Sequence, residues 1–444
     1  MSEWLGTGLQ NRSLQFESGW HLRMNSIPKR NGIFLYVKAF SLILQAKMTS
    51  LLKYPTNKGL YGIFNDSFPP IMDGVTLTVE NYAHWLAKLG KTPCVVTPWN
   101  PVNADYPYSV MRYFSLPIQS RKPYRYGYPK LDPFIWSRLR KTDFKILHSH
   151  CPFSSGRLAV YVKKHQNIPL VGTFHSKYRS DLEHSFKNVP WAVPIIMKRI
   201  LNFFNACDEV WIPQAYVEET VREYGYKGKL TVVENGNDFA SLITGDTLQY
   251  KKEAKKRLNL PPNTINLLFV GQHIWEKGIR MIVEALALIK DSVDFRMNFI
   301  GTGYASSDIK KLAEEKGLAE KVTFHGVVTD RNTLSDFYAA SDLFIFPSFY
   351  DNAPLVVREA AAMATPSILL EGSTASEVVT DGRNGFLVNN SPEEFSRIIT
   401  YLDRDRDVVS KVGQEARNTL VRSWEDVVGE VNDRYDTLLK RFNH

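Results

Sequence analysis

Two acidic residues, Asp351 and Glu359, stand eight positions apart in the stretch Phe346-Pro347-Ser348-Phe349-Tyr350-Asp351-Asn352-Ala353-Pro354-Leu355-Val356-Val357-Arg358-Glu359. With Asp351 in a loop and Glu359 two turns into the following helix, the carboxylates can grip separate hydroxyl pairs of one elongated ligand. Helix-start amides between them suit phosphate or sugar oxygens. The spacing alone is weak, because such pairs arise by chance. Upstream, Val270-Gly271-Gln272-His273-Ile274-Trp275-Glu276-Lys277-Gly278 joins a strand to a helix, and Lys277 there adds a point charge suited to a diphosphate. His148, His150 and His175 each fall at or just past a predicted strand end, where imidazoles hydrogen-bond sugar hydroxyls or polarise a reacting group. A metal is the weaker reading of these histidines, since no third close ligand and no helical His-x3-His accompanies them. Another loop, Asn65-Asp66-Ser67-Phe68-Pro69-Pro70-Ile71-Met72-Asp73-Gly74-Val75, opens a helix at which Gly74 permits close approach of a ligand; taken alone, the loop is better read as an ordinary connection.

These residues need a scaffold that brings strand ends together. From Gly59 onward, apolar β-rich runs (60–64, 144–148, 170–174, 209–212, 230–233) alternate with helical patterns such as 76–89 and 189–204. A second series at 266–270, 296–300, 322–324, 342–346 and 367–370 follows a Lys-rich stretch at 245–256 and the Pro261-Pro262 break. This is the rhythm of parallel sheets covered by helices, and it predicts two doubly wound α/β domains with ligands at the carboxyl ends of the strands. The expected organisation is a leader over 1–47, an N-terminal domain over 48–240, a C-terminal domain over 241–415 and a helical segment over 416–444. In the leader, the 14-residue apolar run 33–46 contains Lys38 and is short for a membrane span, which needs roughly 20 residues. Met48 is read as the native start, with a short interfacial helix or a late signal peptide as alternatives.

The 444 residues are 44% hydrophobic and 23% charged, an ordinary globular composition that excludes global disorder. Three cysteines without metal-ligand spacing suggest neither a disulfide framework nor a zinc site, and a reducing cytosol fits. The net charge of +9 is unevenly placed. Residues 1–240 carry 30 Lys/Arg against 17 Asp/Glu, a net of +13, and residues 241–444 carry 25 against 29, a net of −4. One half is therefore built to meet an anionic partner.

The motifs occur in a familiar order. Together with Asp351 and Glu359, the segments Val233-Glu234-Asn235-Gly236-Asn237-Asp238-Phe239, Val270 to Gly278, Ile300-Gly301-Thr302-Gly303, Val322-Thr323-Phe324-His325-Gly326, Ala340-Ser341-Asp342, Pro347-Ser348 and Asp381-Gly382-Arg383-Asn384-Gly385-Phe386-Leu387-Val388 resemble the retaining glycosyltransferases of family 4. The resemblance implies a GT-B fold: two Rossmann-like domains facing a cleft, with the C-terminal helix returning to the N-terminal domain. It implies that Glu359 holds the nucleotide ribose and that Asp351 binds the transferred sugar. Lys277 would neutralise the diphosphate, and His325, Gly326 and Val327 would line the base. Gly74, Asn352, Ala353, Pro354, Leu355 and Val356 would complete the donor site. His150 would act beside Asp351 at the reacting carbon, and Asp73 and His175 would contact acceptor or sugar. No cofactor is implied beyond the nucleotide-sugar substrate, and no metal. The chain departs from the family pattern twice: Asp351 stands where Glu is usual, and Gln272 where an Arg often is.

In this fold the basic first half takes the acceptor. There Arg121-Lys122-Pro123-Tyr124-Arg125-Tyr126-Gly127-Tyr128-Pro129-Lys130 leads into Phe134-Ile135-Trp136-Ser137-Arg138-Leu139-Arg140-Lys141, a mixture of cations and aromatics suited to a bilayer interface. Arg121, Lys122, Tyr124, Arg125, Tyr126, Tyr128, Lys130 and Trp136 are the expected membrane contacts. The apolar, basic run 191–204 is a second candidate, or else a core helix. No helix-turn-helix, RNA-binding signature or zinc module supports nucleic acid as partner. Tyr350-Asp351-Asn352, with Val356-Val357-Arg358-Glu359-Ala360-Ala361, is similar to bacterial lipid α-glycosyltransferases acting on diacylglycerol, phosphatidylinositol or ceramide, including α-galactosylceramide synthases. The expectation is a metal-independent hexosyltransferase, peripheral on the inner face of the cell membrane, using UDP-galactose or UDP-glucose. Alternatives are a soluble or polyprenyl-linked saccharide acceptor, a sugar-nucleotide binding protein, or a hydrolysing epimerase.

Overall fold

Residues 60–64 read Leu-Tyr-Gly-Ile-Phe and are buried at every position, as a parallel strand covered on both faces must be. The computed structural model describes residues 58–442 except 72, 102–104, 119–122, 244–245, 262 and 350, so the leader with its run 33–46, and Arg121 and Lys122, lie outside the described residues. Residues Thr56–His444 form one compact unit. Its strands are β1 (Leu60–Phe64), β2 (Pro93–Pro98), β3 (Ser109–Tyr113), β4 (Ser115–Pro117), β5 (Arg125–Gly127), β6 (Phe144–Ser149), β7 (Leu170–Thr173), β8 (Glu209–Ile212), β9 (Leu230–Val232), β10 (Ile265–Val270), β11 (Phe295–Ile300), β12 (Val322–Phe324), β13 (Leu343–Phe346), β14 (Ser367–Leu370) and β15 (Phe386–Val388).

Two parallel sheets result, ordered β3-β2-β1-β6-β7-β8-β9 and β12-β11-β10-β13-β14-β15, with β4 and β5 forming a separate antiparallel pair. Strand order reverses at β1/β6 in the first and at β10/β13 in the second, the points where open α/β sheets bind ligands. One face of the first sheet packs Leu60, Phe64 and Leu147 against the helices Ser154–Gln166 and Ala192–Asn205. The other face packs Tyr61, Ile63 and Trp211 against Gly74–Lys88 and the C-terminal helix Trp424–Phe442. That last helix belongs to the first sheet's core, so the chain does return to the N-terminal half. The helix Arg406–Leu420 packs with the second sheet's core and runs through the expected 415/416 boundary; Asn237 N–H meets the Arg422 carbonyl at 2.8 Å where the chain crosses back.

Close packing of loops at the second switch point needs glycine. Gly301 has φ +129°, and a Cβ there would lie 1.9 Å from the Gly271 carbonyl oxygen. Gly278, at φ +73°, would drive a Cβ to 2.1 Å from the Pro347 carbonyl. The loops after β10, β11 and β13 are thereby pressed into one wall of the cleft.

Candidate active site

Glu359 lies one turn into the helix Leu355–Ala362, rather than two, because the segment from Asp351 to Pro354 stays in the loop. No side chain caps this helix among the described residues, and its first residue, Leu355, faces the first residue of another helix: a Cβ on Gly74 would sit 3.5 Å from Leu355 Cδ1. Two positive helix ends therefore meet across the cleft, an arrangement suited to a diphosphate. Asp73 caps the Gly74–Lys88 helix, its Oδ1 accepting from Thr76 N–H at 2.7 Å, so one of its oxygens is committed to the fold.

Glu359 is buried and doubly held. Arg331 Nη1 donates to Oε1 at 3.1 Å and Tyr338 Oη donates to Oε2 at 2.9 Å. Burial, the larger influence, raises its pKa, while Arg331 and Tyr338 pull it back. Lys277 is buried in a single turn, Trp275–Lys277, before the helix Ile279–Ile289, with its ammonium 5.4 Å from the centre of the Phe346 ring. It forms an ion pair with Asp351, whose other oxygen accepts from Ser348 Oγ at 2.7 Å. The shorter carboxylate is thus fitted to its own loop. Gln272 is exposed and supplies no charge, so Lys277 is the cation at this end of β10. His325 Nε2 pairs with Asn298 Oδ1 at 2.8 Å, Gly326 takes φ +69°, and Val327 is exposed beside them.

The first switch point is built differently. His148 is a core residue, fixed between Tyr435 Oη and Thr173 Oγ1 at 2.6 Å each. His150 stacks on it, ring centres 4.1 Å apart, and its Nδ1 pairs with His175 Nε2 at 2.9 Å. Burial is the main cause that holds His148 and His150 well below the usual imidazole range and His175 at about 4, so all three are neutral at pH 7. His150 Nε2 is buried without a protein partner among the described residues, as is Asn352 Oδ1, while Asn352 Nδ2 donates to the His175 carbonyl at 3.1 Å. The two polar atoms flank the junction between the halves. Further bridges close it: Lys177 Nζ to the Phe349 carbonyl at 2.8 Å, and Glu377 Oε2 accepting from Tyr216 N–H at 2.9 Å.

Sequence reasoning missed three contributors. Arg331 and Tyr338 are separated from Glu359 by 28 and 21 residues, and nothing in their spacing marks them as its partners. Asp66 accepts from the backbone N–H groups of Ser154 and Ser155 and from Tyr113 Oη, so the helix start after β6 is already occupied by a carboxylate. Of the expected membrane contacts, two are engaged inside the fold. Arg125 bonds Ser115 and lies over Trp99 at 5.1 Å, and Trp136 donates to the Pro129 carbonyl at 2.8 Å with its ring edge against Tyr161. Tyr124 is half-buried, whereas Tyr126, Tyr128 and Lys130 are exposed beside Leu131 and Phe134. The run 191–204 forms the amphipathic helix Ala192–Asn205: Val193, Met197 and Ile200 point into the core, and Ile195, Lys198 and Arg199 outward, next to Trp191 at 70% exposure.

Residues 72–240 match the family model for Glycosyltransferase Family 4, and residues 250–419 match that for Glycosyl transferases group 1. With its two switch-point sites facing one cleft, the chain belongs to these glycosyltransferases and has the GT-B fold. It is similar to alpha-monoglucosyldiacylglycerol synthases of Acholeplasma laidlawii, at 24% identity over 80% of this chain and 91% of that one, and of Streptococcus pneumoniae, at 23% over 73% and 74%. A D-inositol 3-phosphate glycosyltransferase of Streptomyces avermitilis shares 24% identity over 69% of this chain and 68% of its own. Among solved structures, sucrose-phosphate synthase from Thermosynechococcus elongatus superposes with a TM-score of 0.69 at 20% identity, covering 87% of this chain and all of that one. Anabaena Alr3699/HepE, solved with UDP and glucose, gives 0.67 at 16% identity over 86% and 100%.

Proposed function

We propose that the protein transfers a hexose from a nucleoside-diphosphate sugar, UDP-galactose or UDP-glucose, to a membrane lipid such as diacylglycerol or ceramide, giving an α-glycolipid. The observation that carries the lipid half is the presence of two exposed surfaces on the first domain that mix apolar and basic side chains, Tyr126 to Phe134 and the outer face of Ala192–Asn205, in the half of the chain with net charge +13. The names of the diacylglycerol-glycosylating relatives support the same reading. Among the described residues no helix is long and apolar enough to cross a membrane, so the chain would rest on the inner leaflet through these surfaces.

In the reaction, Lys277 and the facing helix ends stabilise the charge that develops on the departing diphosphate. The bond from the anomeric carbon to the phosphate oxygen breaks, and the acceptor oxygen bonds to the same face of that carbon. The acceptor's proton passes to the leaving phosphate, and configuration is retained. Asp351 holds sugar hydroxyls, and His150 Nε2, neutral and unpartnered, presents a polar atom near the transferred sugar. No imidazole here takes the role of a cationic acid, because burial keeps all three neutral. The test is a matrix of labelled nucleotide sugars against diacylglycerol, ceramide and phosphatidylinositol in vesicles, read by mass spectrometry of the organic phase and anomeric NMR. Label found only in water-soluble or polyprenyl-linked saccharide, or a β-linked product from an α-linked donor, defeats the proposal.

A further inference from the structure

A carboxylate offers about four acceptor positions on its two oxygens. Glu359 uses one on each oxygen, for Arg331 and Tyr338, which leaves one on each, the number a vicinal diol needs. Arg331 is itself clamped. Its guanidinium forks onto both oxygens of Asp238, through Nη2 and through Nε at 3.2 Å, and lies 3.9 Å from the centre of the Phe239 ring. Asp238 and Phe239 follow β9 in the segment that joins the two halves. The small cleft bounded by Asp238, Arg331 and Glu359 also touches Gly236, Leu77 and Trp424, so it is walled by that segment and by both halves.

We propose that Arg331 is a positioning residue for the donor: held by Asp238 and Phe239, it orients the Glu359 carboxylate so that one acceptor position on each oxygen meets the two ribose hydroxyls. This rests on the nucleoside-diphosphate-sugar reading given above. The planar fork is essential to the role. A lysine keeps the charge but cannot bridge two carboxylates in fixed geometry while stacking on an aromatic ring. Arg331 also ties the ribose site to the segment between the halves, so the ligand-binding carboxylate and that segment share one set of hydrogen bonds.

The experiment compares binding of UDP and of 2′,3′-dideoxy-UDP to the full chain by calorimetry. The wild type should prefer UDP by roughly 10–100-fold, as expected for hydrogen bonds to a charged acceptor. Arg331→Lys and Arg331→Met should both shrink that preference to within about threefold, while affinity for the dideoxy analogue is held by contacts elsewhere. Asp238→Asn leaves the charge beside Glu359 but loosens the fork, so its preference should fall part of the way; it also serves if Arg331→Met does not fold. Folded Arg331 variants that keep the full preference, or that weaken both ligands alike, overturn the positioning role. A wild type that binds both ligands equally, or neither, fails the ribose reading itself and takes the inference with it, a result distinct from any seen in the variants.

Discussion

The two switch points of this molecule are built from opposite electrostatics. At β10/β13, charges are placed and paired in advance: Lys277 with Asp351, and Glu359 with Arg331. At β1/β6, charge is removed: three stacked histidines are held neutral by burial, and the nearby helix start is filled by Asp66. The surfaces run the other way, since the half with the neutral site carries the excess of Lys and Arg. A site for a charged nucleotide needs a few fixed counter-charges close by, which a low-dielectric setting strengthens. A site where an uncharged hydroxyl approaches a sugar needs polar atoms without net charge, and under the proposed function the charge of an anionic membrane would be met outside, on the surface.

Removing the pre-placed cation should give the largest effect. Lys277→Ala is expected to lower kcat/KM by roughly 10²–10³, the scale of losing one charge-stabilising group at a developing oxyanion, with unchanged folding by circular dichroism. A loss under tenfold would mean the diphosphate is held mainly by the helix ends. Next comes Asp342, at the base of β13, which accepts from the Asn266 N–H at 2.9 Å and pairs with Lys251, Lys255 and Arg406. Burial opposes its ionisation, but the lysines and Asn266 prevail and hold its pKa at about 2, below the ordinary 3.8. Its contribution to stability is therefore complete above about pH 4 and lost as pH falls toward 2. Asp342→Asn should cost about 3 kcal/mol in denaturant unfolding at pH 7, because three cations lose a common counter-ion.

The neutral histidines give a smaller effect with the opposite carrier. His175 titrates at about 4 in the folded chain against an ordinary 6.5, so between those values the unfolded chain binds the extra proton. Stability is present above pH 6.5 and falls as pH drops toward 4, by about 1–2 kcal/mol for a ring that is only part-buried by exposed area. His175→Asn should lessen that fall in stability while His148 and His150, also held below the usual imidazole range, keep part of it; an unchanged slope would assign it to those two and to other groups. Smallest is the surface. Lys130→Glu should weaken binding to anionic vesicles roughly fivefold at low salt and less at high salt, with UDP affinity unaltered.

The sequence carried the architecture well where burial is on both faces: β1, β8 and β14 fall where the apolar runs place them, and so does β12, an edge strand that is only half-buried. β2 was hidden by the prolines at both of its ends, β3 by its edge position and mixed Arg112-Tyr113 ending, and β15 by a length of three residues inside a turn-rich motif. In the site, residue types at strand ends were legible because strand ends are where the fold binds ligands. Their state was not. His148 is fixed in the core in part by Tyr435, 287 positions away, and Arg331 joins Asp238 across 93 residues. Such pairings depend on the crossing of the C-terminal helix and the packing of the two halves, which local spacing does not encode.

The division between a nucleotide site and a lipid-meeting surface is tested most directly by one titration. Hexose transfer and UDP affinity are measured together on vesicles of fixed acceptor content while the fraction of anionic lipid is raised. Transfer should climb steeply with anionic lipid and UDP affinity should stay constant. A transfer rate indifferent to anionic lipid would contradict the account, as would a UDP affinity that tracks it.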